Sequence, residues 1–135
     1  MGTKTIFDSA RTSARPPRIL IVDDDDDVRL VLRRMLEQDG YEIAEASHGR
    51  EALGAMAQHG YDLLITDLIM PEQEGIETIQ TFHKRYPAVK IIAISGAYST
   101  DYLRIAKLLG AHEVMQKPLR LKAVLSTVSR LLNSR

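Results

Sequence analysis

The sequence contains no cysteine. Disulfides, thiol nucleophiles and thiolate metal sites are therefore excluded. It also lacks net charge, since 18 Lys and Arg balance 18 Asp and Glu. That balance leaves no electrostatic footprint for nucleic acid or for an anionic membrane, and neither is expected as a partner. Long apolar runs are missing as well. Stretches such as Ile19-Leu-Ile-Val22 fall far short of the roughly 20 residues that a membrane helix needs. No signal-peptide segment stands near the N-terminus, so the expected compartment is the cytoplasm. No internal repeat is evident, which argues against a solenoid.

What remains is an ordinary globular composition, 44% hydrophobic and 27% charged over 135 residues. That length holds one domain with a proper core. Residues 1–17 carry Lys4, Arg11, Arg15, scattered Ser and Thr, and Pro16-Pro17, with no apolar period. A disordered tail is expected there, followed by one domain over residues 18–133. Within that domain, short apolar runs alternate with amphipathic stretches. Strands are expected at Arg18–Val22, Tyr41–Ala46, Tyr61–Asp67, Lys90–Ile94 and His112–Gln116. Helical spacing fills the gaps. Val28, Val31, Leu32, Met35 and Leu36 form the first apolar stripe. Asp25 or Asp26 is placed to cap that helix and Gly40 to stop it. Strict alternation of strand and helix argues for an α/β fold, a parallel sheet covered on both faces.

The strand ends carry the chemistry. The first delivers Asp23 and Asp24, the third Asp67, the fourth Ser95 and the fifth Lys117. In a doubly wound parallel sheet these ends share one edge, the edge where ligands bind. Neighbouring carboxylates raise one another's pKa, and a hard divalent cation relieves the repulsion. Oxygen-only ligands suit Mg²⁺ or Mn²⁺. A carboxylate beside a cation, a Lys and a hydroxyl is equipped to receive a phosphoryl group, with the Asp oxygen attacking in line.

The set Asp23-Asp24, Asp67-Leu-Ile-Met-Pro71, Ser95-Gly96 and Lys117-Pro118 resembles the receiver domain of bacterial two-component response regulators. The resemblance covers nearly all of the chain outside the tail. It implies a flavodoxin-like, doubly wound sheet of five strands in the order 2-1-3-4-5, with five helices. It implies that Asp67 is the phosphoacceptor and that a histidine kinase or histidine phosphotransfer protein is the donor. Asp24 and Asp67 would ligate Mg²⁺ through their side chains, with the Ile69 carbonyl as a third ligand, and Asp23 would hold a metal-bound water. Lys117 would pair with the phosphoryl oxygens, Ser95 would swing in to bond them, and the Lys117–Pro118 peptide would be cis. The output would be a face formed by the fourth helix, fifth strand and fifth helix, read by a downstream protein. One departure stands out. The family often has Tyr or Phe three residues before the Lys, and this sequence has Val114. The two positions that resemble water-positioning sites in the family are Ile69 and Ala97. Neither side chain forms hydrogen bonds, so slow loss of the phosphoryl group is expected.

Other residues invite plainer readings. Asp25, Asp26 and Asp27 suit a helix N-terminus. His48, His59, His83 and His112 lack ligand spacing and are expected on the surface or in loops. Tyr98 and Tyr102 are expected at or on the fourth helix. A metal-dependent aspartyl-phosphate phosphohydrolase is the alternative function. Such enzymes resemble Asp-x-Asp-x-Thr after the first strand, whereas Asp23, Asp25 and Asp27 run into Val28 without the Thr. A flavodoxin-type cofactor protein would need a Ser-, Thr- or Gly-rich phosphate loop after the first strand, and none is present. Apart from its own phosphorylation and dephosphorylation, the chain is not expected to act as an enzyme. No separate output domain is expected after the last helix.

Overall fold

The computed structural model describes residues 15–68, 74–96 and 100–134. Five strands alternate with five helices. They are β1 (Arg18–Val22), α1 (Asp26–Glu37), β2 (Glu42–Ala46), α2 (Gly49–His59), β3 (Leu63–Asp67), α3 (Glu74–Arg85), β4 (Lys90–Ser95), α4 (Thr100–Leu109), β5 (Glu113–Gln116) and α5 (Leu121–Asn133). The strands form one sheet in the order β2-β1-β3-β4-β5. Every pairing is parallel. Class, strand order and helix count are those expected.

The pattern of apolar residues explains the layering. β1, β3 and β4 are nearly continuous runs of Ile, Leu and Val because both faces of a parallel sheet are covered. Successive side chains point to opposite faces. Ile19, Ile21, Leu63, Ile65, Ile92 and Ile94 therefore face one layer, with Leu32 and Leu36 of α1 and Val124, Val128, Leu131 and Leu132 of α5. Leu20, Val22, Leu64, Ile91 and Ala93 face the other, with Ala52 of α2, Ile79 and Phe82 of α3, and Ala106 of α4. The edge strand β2 is only half-buried and carries Glu42 and Glu45, charges that discourage pairing with another sheet.

Local chemistry sets the helix ends. Asp25 caps α1, its Oδ1 accepting from the Asp27 N–H at 2.9 Å and the Val28 N–H at 3.4 Å. Gly40 follows with φ +90°, a conformation that favours glycine. His48 is exposed, as expected, yet it is more than a loop residue. Its Nδ1 accepts from the Glu51 N–H at 3.2 Å and caps α2, while Glu51 Oε1 accepts from the Ser47 N–H at 2.6 Å. His112 stands in the loop before β5, as expected, but it too is more than a loop residue. It is half-buried, and its Nδ1 accepts from the Ile91 N–H at 3.0 Å at the base of β4. In both places an imidazole nitrogen is the acceptor for a main-chain N–H.

The described chain begins at Arg15, inside the stretch expected as tail. Arg15 Nη1 lies 3.1 Å from Asp62 Oδ2, and the Pro17 carbonyl accepts from the Glu42 N–H at 3.0 Å, extending the β1–β2 ladder. The rest of the expected tail lies outside the described residues. Among the described residues no helix is long and apolar enough to cross a membrane.

Candidate phosphoryl-transfer site

The sheet order creates the site. From β1 the chain moves outward to β2, then returns to place β3 on the other side of β1. At such a reversal a doubly wound sheet has its crevice at the carboxyl edge. Asp23 and Asp24 follow β1, and Asp67 ends β3. Main-chain bonds carry the ladders just past the strand ends. The Asp23 N–H donates to the Ala46 carbonyl at 3.2 Å, the Leu68 N–H to the Ile94 carbonyl at 2.8 Å, and the Lys117 N–H to the Ser95 carbonyl at 2.8 Å.

Asp23, Asp24 and Asp67 each offer a carboxylate oxygen, and these three lie within 4.8 Å of one another. Asp23 and Asp67 are buried, whereas Asp24 is exposed. Lys117 Nζ reaches both buried acids, 3.2 Å from Asp23 Oδ2 and 3.5 Å from Asp67 Oδ2. Ser95 ends β4 fully buried at the same edge, and the Lys117–Pro118 peptide is cis. The structure thus gathers Asp23, Asp24, Asp67 and Lys117 and sets Ser95 on their edge. Ile69, the other expected ligand, lies outside the described residues, as do Ala97 and Tyr98. The Tyr102 side chain is likewise not described. Val114 packs, partly buried, against the layer of α2, α3 and α4.

Asp23 shows the strain of this arrangement. Its Oδ1 accepts from the Asp25 N–H at 2.8 Å. Its Oδ2 is buried with no hydrogen-bond partner and meets the Lys117 ammonium as an ion pair at 3.2 Å. Burial pushes the Asp23 carboxyl above the usual carboxylate range, although the Asp25 N–H and Lys117 both pull it down. Burial alone would lower the Lys117 ammonium, but Asp67 and Asp23 outweigh it and the pKa is raised. A buried carboxylate oxygen without a hydrogen bond, in an oxygen-only donor set, fits a hard divalent cation.

Two further residues serve the site and lacked a clear sequence signal. Arg29 on α1 donates through Nη1 to the Asp23 carbonyl and through Nη2 to Asp26. Its Nε donates to Glu45 Oε1 at 2.9 Å. The Asp26 pair has helical spacing; the contacts to β2 and to Asp23 depend on tertiary packing. Gly75 is buried, and a Cβ there would collide with the main-chain carbonyls of Asp67 and Leu68. Only glycine lets α3 start this close to the end of β3.

Beside the site is an apolar cavity of about 320 Å³ lined by Asp27, Val28, Val31, Lys117, Pro118 and Leu119.

An acidic switch-point crevice bridged by a lysine, on a 2-1-3-4-5 sheet, is the architecture of a signalling receiver. The chain belongs to the response regulator receiver domain family, whose profile matches residues 19–129. It is similar to the response regulator receiver protein CpdR of Brucella abortus, 31% identical over 121 residues, spanning 85% of this chain and 96% of that protein. It is also 33% identical over 116 residues to the sensor kinase CckA of the same organism, but covers only 12% of that much longer protein. Other curated relatives are longer too, and the chain spans 24% and 53% of two of them. Among solved structures, it is similar to a CheY-like receiver domain protein from Methanospirillum hungatei. The TM-score is 0.82 and the identity 30%, over 87% of this chain and 94% of that one. The family leaves the phosphohydrolase alternative without support.

Proposed function

We propose that this domain, over residues 18–133, accepts a phosphoryl group on Asp67 from the phosphohistidine of a histidine kinase or phosphotransfer protein in the cytoplasm. The observation that carries the reading is the Lys117 ammonium held 3.5 Å from Asp67 Oδ2 and 3.2 Å from Asp23 Oδ2. An Asp67 oxygen attacks phosphorus while the P–N bond to the donor imidazole breaks. The electron pair leaves with the imidazole nitrogen, which takes up a proton from solvent. Lys117 pairs with a phosphoryl oxygen, and the Ser95 hydroxyl donates to another. Each interaction strengthens as charge develops on those oxygens. Asp24 and Asp67 would hold Mg²⁺, or Mn²⁺, with the Ile69 carbonyl, and Asp23 would hold a water on the metal. When bound, the ion neutralises the acidic cluster and the phosphoryl charge.

The donor must bring its imidazole to this crevice. The apolar cavity next to Lys117, together with the half-exposed Val31 and Leu30 of α1, supports docking of a helical donor along α1. The product then acts through α4, β5 and α5, because Ser95 and Lys117 sit at the roots of those elements and contact the phosphoryl group in only one of two states. Leu108, 79% exposed on α4, and Ile105, 40% exposed, give that face an apolar contact for a downstream protein. No direct contact with nucleic acid or membrane is part of this function.

The test is intact mass after incubation with Mg²⁺ and a small acyl phosphate. Wild type gains one phosphoryl group. An Asp67→Asn protein that gains it to the same extent overturns the assignment.

A further inference from the structure

The polar atoms of Asp23 are engaged one by one. Its N–H donates to the Ala46 carbonyl at 3.2 Å, and its carbonyl accepts from Arg29 Nη1. Its Oδ1 accepts from the Asp25 N–H at 2.8 Å. Only Oδ2 is left without a hydrogen bond, and it faces Lys117. The orientation of that oxygen is therefore set by main-chain clamps on either side, and Arg29 is one of them.

Arg29 is itself fixed at three points. Nε meets Glu45 Oε1 at 2.9 Å, Nη2 meets Asp26, and Nη1 meets the Asp23 carbonyl. Its side chain is 13% exposed. Arg33 steadies the other Glu45 oxygen, Nε to Oε2, at 2.5 Å. Glu45 and Asp26 neutralise a guanidinium that would otherwise repel a cation in the neighbouring acidic site. The planar fork is what allows one side chain to reach all three acceptors, and an ammonium lacks that geometry.

We infer that Arg29 is a positioning residue for the metal site. Anchored on Glu45 of β2, it holds the Asp23 main chain so that Oδ2 faces the crevice. The inference rests on the reading of that crevice as a Mg²⁺ site. Partners behind metal ligands typically change affinity by 10–100-fold. Two effects of removing Arg29 have opposite signs. Loss of a nearby positive charge strengthens Mg²⁺ binding, whereas loss of the clamp weakens it.

The experiment is a Mg²⁺ titration of the full chain without phosphodonor, followed by amide chemical shifts. It compares wild type, Arg29→Gln, Arg29→Lys, Glu45→Gln and Arg33→Gln, with melting in chelator to register stability. Arg29→Gln is expected to bind Mg²⁺ roughly tenfold more weakly. Arg29→Lys is expected to fall short of wild type despite its retained charge. Glu45→Gln is expected to weaken binding too. Arg33→Gln loses contacts to Glu45 without touching Asp23, and should bind within about twofold of wild type while losing comparable stability. An Arg29→Gln protein that binds Mg²⁺ as tightly as wild type, or more tightly, overturns the inference and leaves the metal site standing. An equal loss in Arg33→Gln also overturns it, since the effect is then general destabilisation. If Arg29→Gln does not fold, Arg29→Lys decides, and wild-type affinity there overturns the inference. A wild type that binds no Mg²⁺ up to tens of millimolar overturns both the inference and the metal reading beneath it.

Discussion

Replacing Lys117 with Met removes the ammonium but keeps an unbranched side chain of similar reach. Two ion pairs disappear, at 3.2 Å to Asp23 and 3.5 Å to Asp67. At an effective dielectric of about 20, each is worth about 5 kcal/mol of gross attraction. The net loss is smaller, because the variant no longer has to desolvate an ammonium, although the carboxylates stay buried. Lys117 is also 24% exposed, so solvent screens part of the rest. Asp23 can meanwhile take up a proton, which caps the penalty. Screening and protonation bring the net cost to about 2 kcal/mol, below the roughly 3–5 kcal/mol of a fully buried broken pair. A domain of this size loses roughly 4 °C of Tm per kcal/mol, so Tm in chelator should fall by about 8 °C.

The sign of the Mg²⁺ response is the sharper test. Without the competing ammonium, the acidic cluster should bind Mg²⁺ more tightly than wild type, on the order of tenfold. Added Mg²⁺ then recovers most of the lost stability by mass action. The pH dependence has a definite direction as well. With Lys117 gone, the Asp23 pKa rises further above its unfolded value, so the folded state binds more protons than the unfolded one. The stability deficit in chelator should therefore shrink as pH falls. Calorimetric melts at several Mg²⁺ concentrations measure all of this. A Lys117→Met protein that melts within 2 °C of wild type in chelator, or gains less from Mg²⁺ than wild type does, would refute the electrostatic account (threshold set at roughly a quarter of the expected shift).

Three other outcomes are expected. Burial, with help from Lys90 and His83, lowers the His112 pKa. The unfolded state thus binds more protons once pH falls below about 6.5, and stability is lost from there down toward the folded pKa; urea midpoints of His112→Asn, whose Oδ1 still accepts from Ile91, should decline less between neutral pH and pH 5.5, and equal declines refute the assignment. Gly75→Ala forces a Cβ against the Asp67 and Leu68 carbonyls and should cost about 1–3 kcal/mol while slowing Asp67 phosphorylation, so an unchanged Tm would contradict the packing. Ile69→Asn/Ala97→Glu supplies polar side chains at both expected water positions, and the phosphorylated variant should decay roughly tenfold faster than wild type with Mg²⁺; equal lifetimes would show that other groups set the rate.

Much of the architecture was legible before any coordinates. The β1, β3 and β4 runs are short, apolar and bounded by polar and turn residues, as strands covered on both faces are, and the helices between them carry clear stripes. Alternation then requires parallel crossovers. Because every strand runs the same way, residues after the strands must share an edge, so Asp23, Asp24, Asp67, Ser95 and Lys117 could be grouped from their order alone. Helix capping by Asp25 was equally local, since the cap bonds its own next two or three residues.

Tertiary structure decided what local pattern does not encode. His48 and His112 carry no periodic signal, and their acceptor roles depend on which N–H groups the fold brings to them. Gly75 has no neighbours in sequence that mark it; its requirement for a missing Cβ arises only where α3 meets the end of β3. Arg29 sits on a helix beside Asp26, and nothing in that spacing points across to Glu45 or back to the Asp23 carbonyl. The buried, hydrogen-bond-free Asp23 Oδ2 is likewise a property of packing. Sequence determines which side chains arrive at the edge, because strand direction and apolar period are short-range. Distances, burial and charge balance within the site come from contacts between residues far apart in the chain, and these exist only once the sheet has closed around β1 and β3.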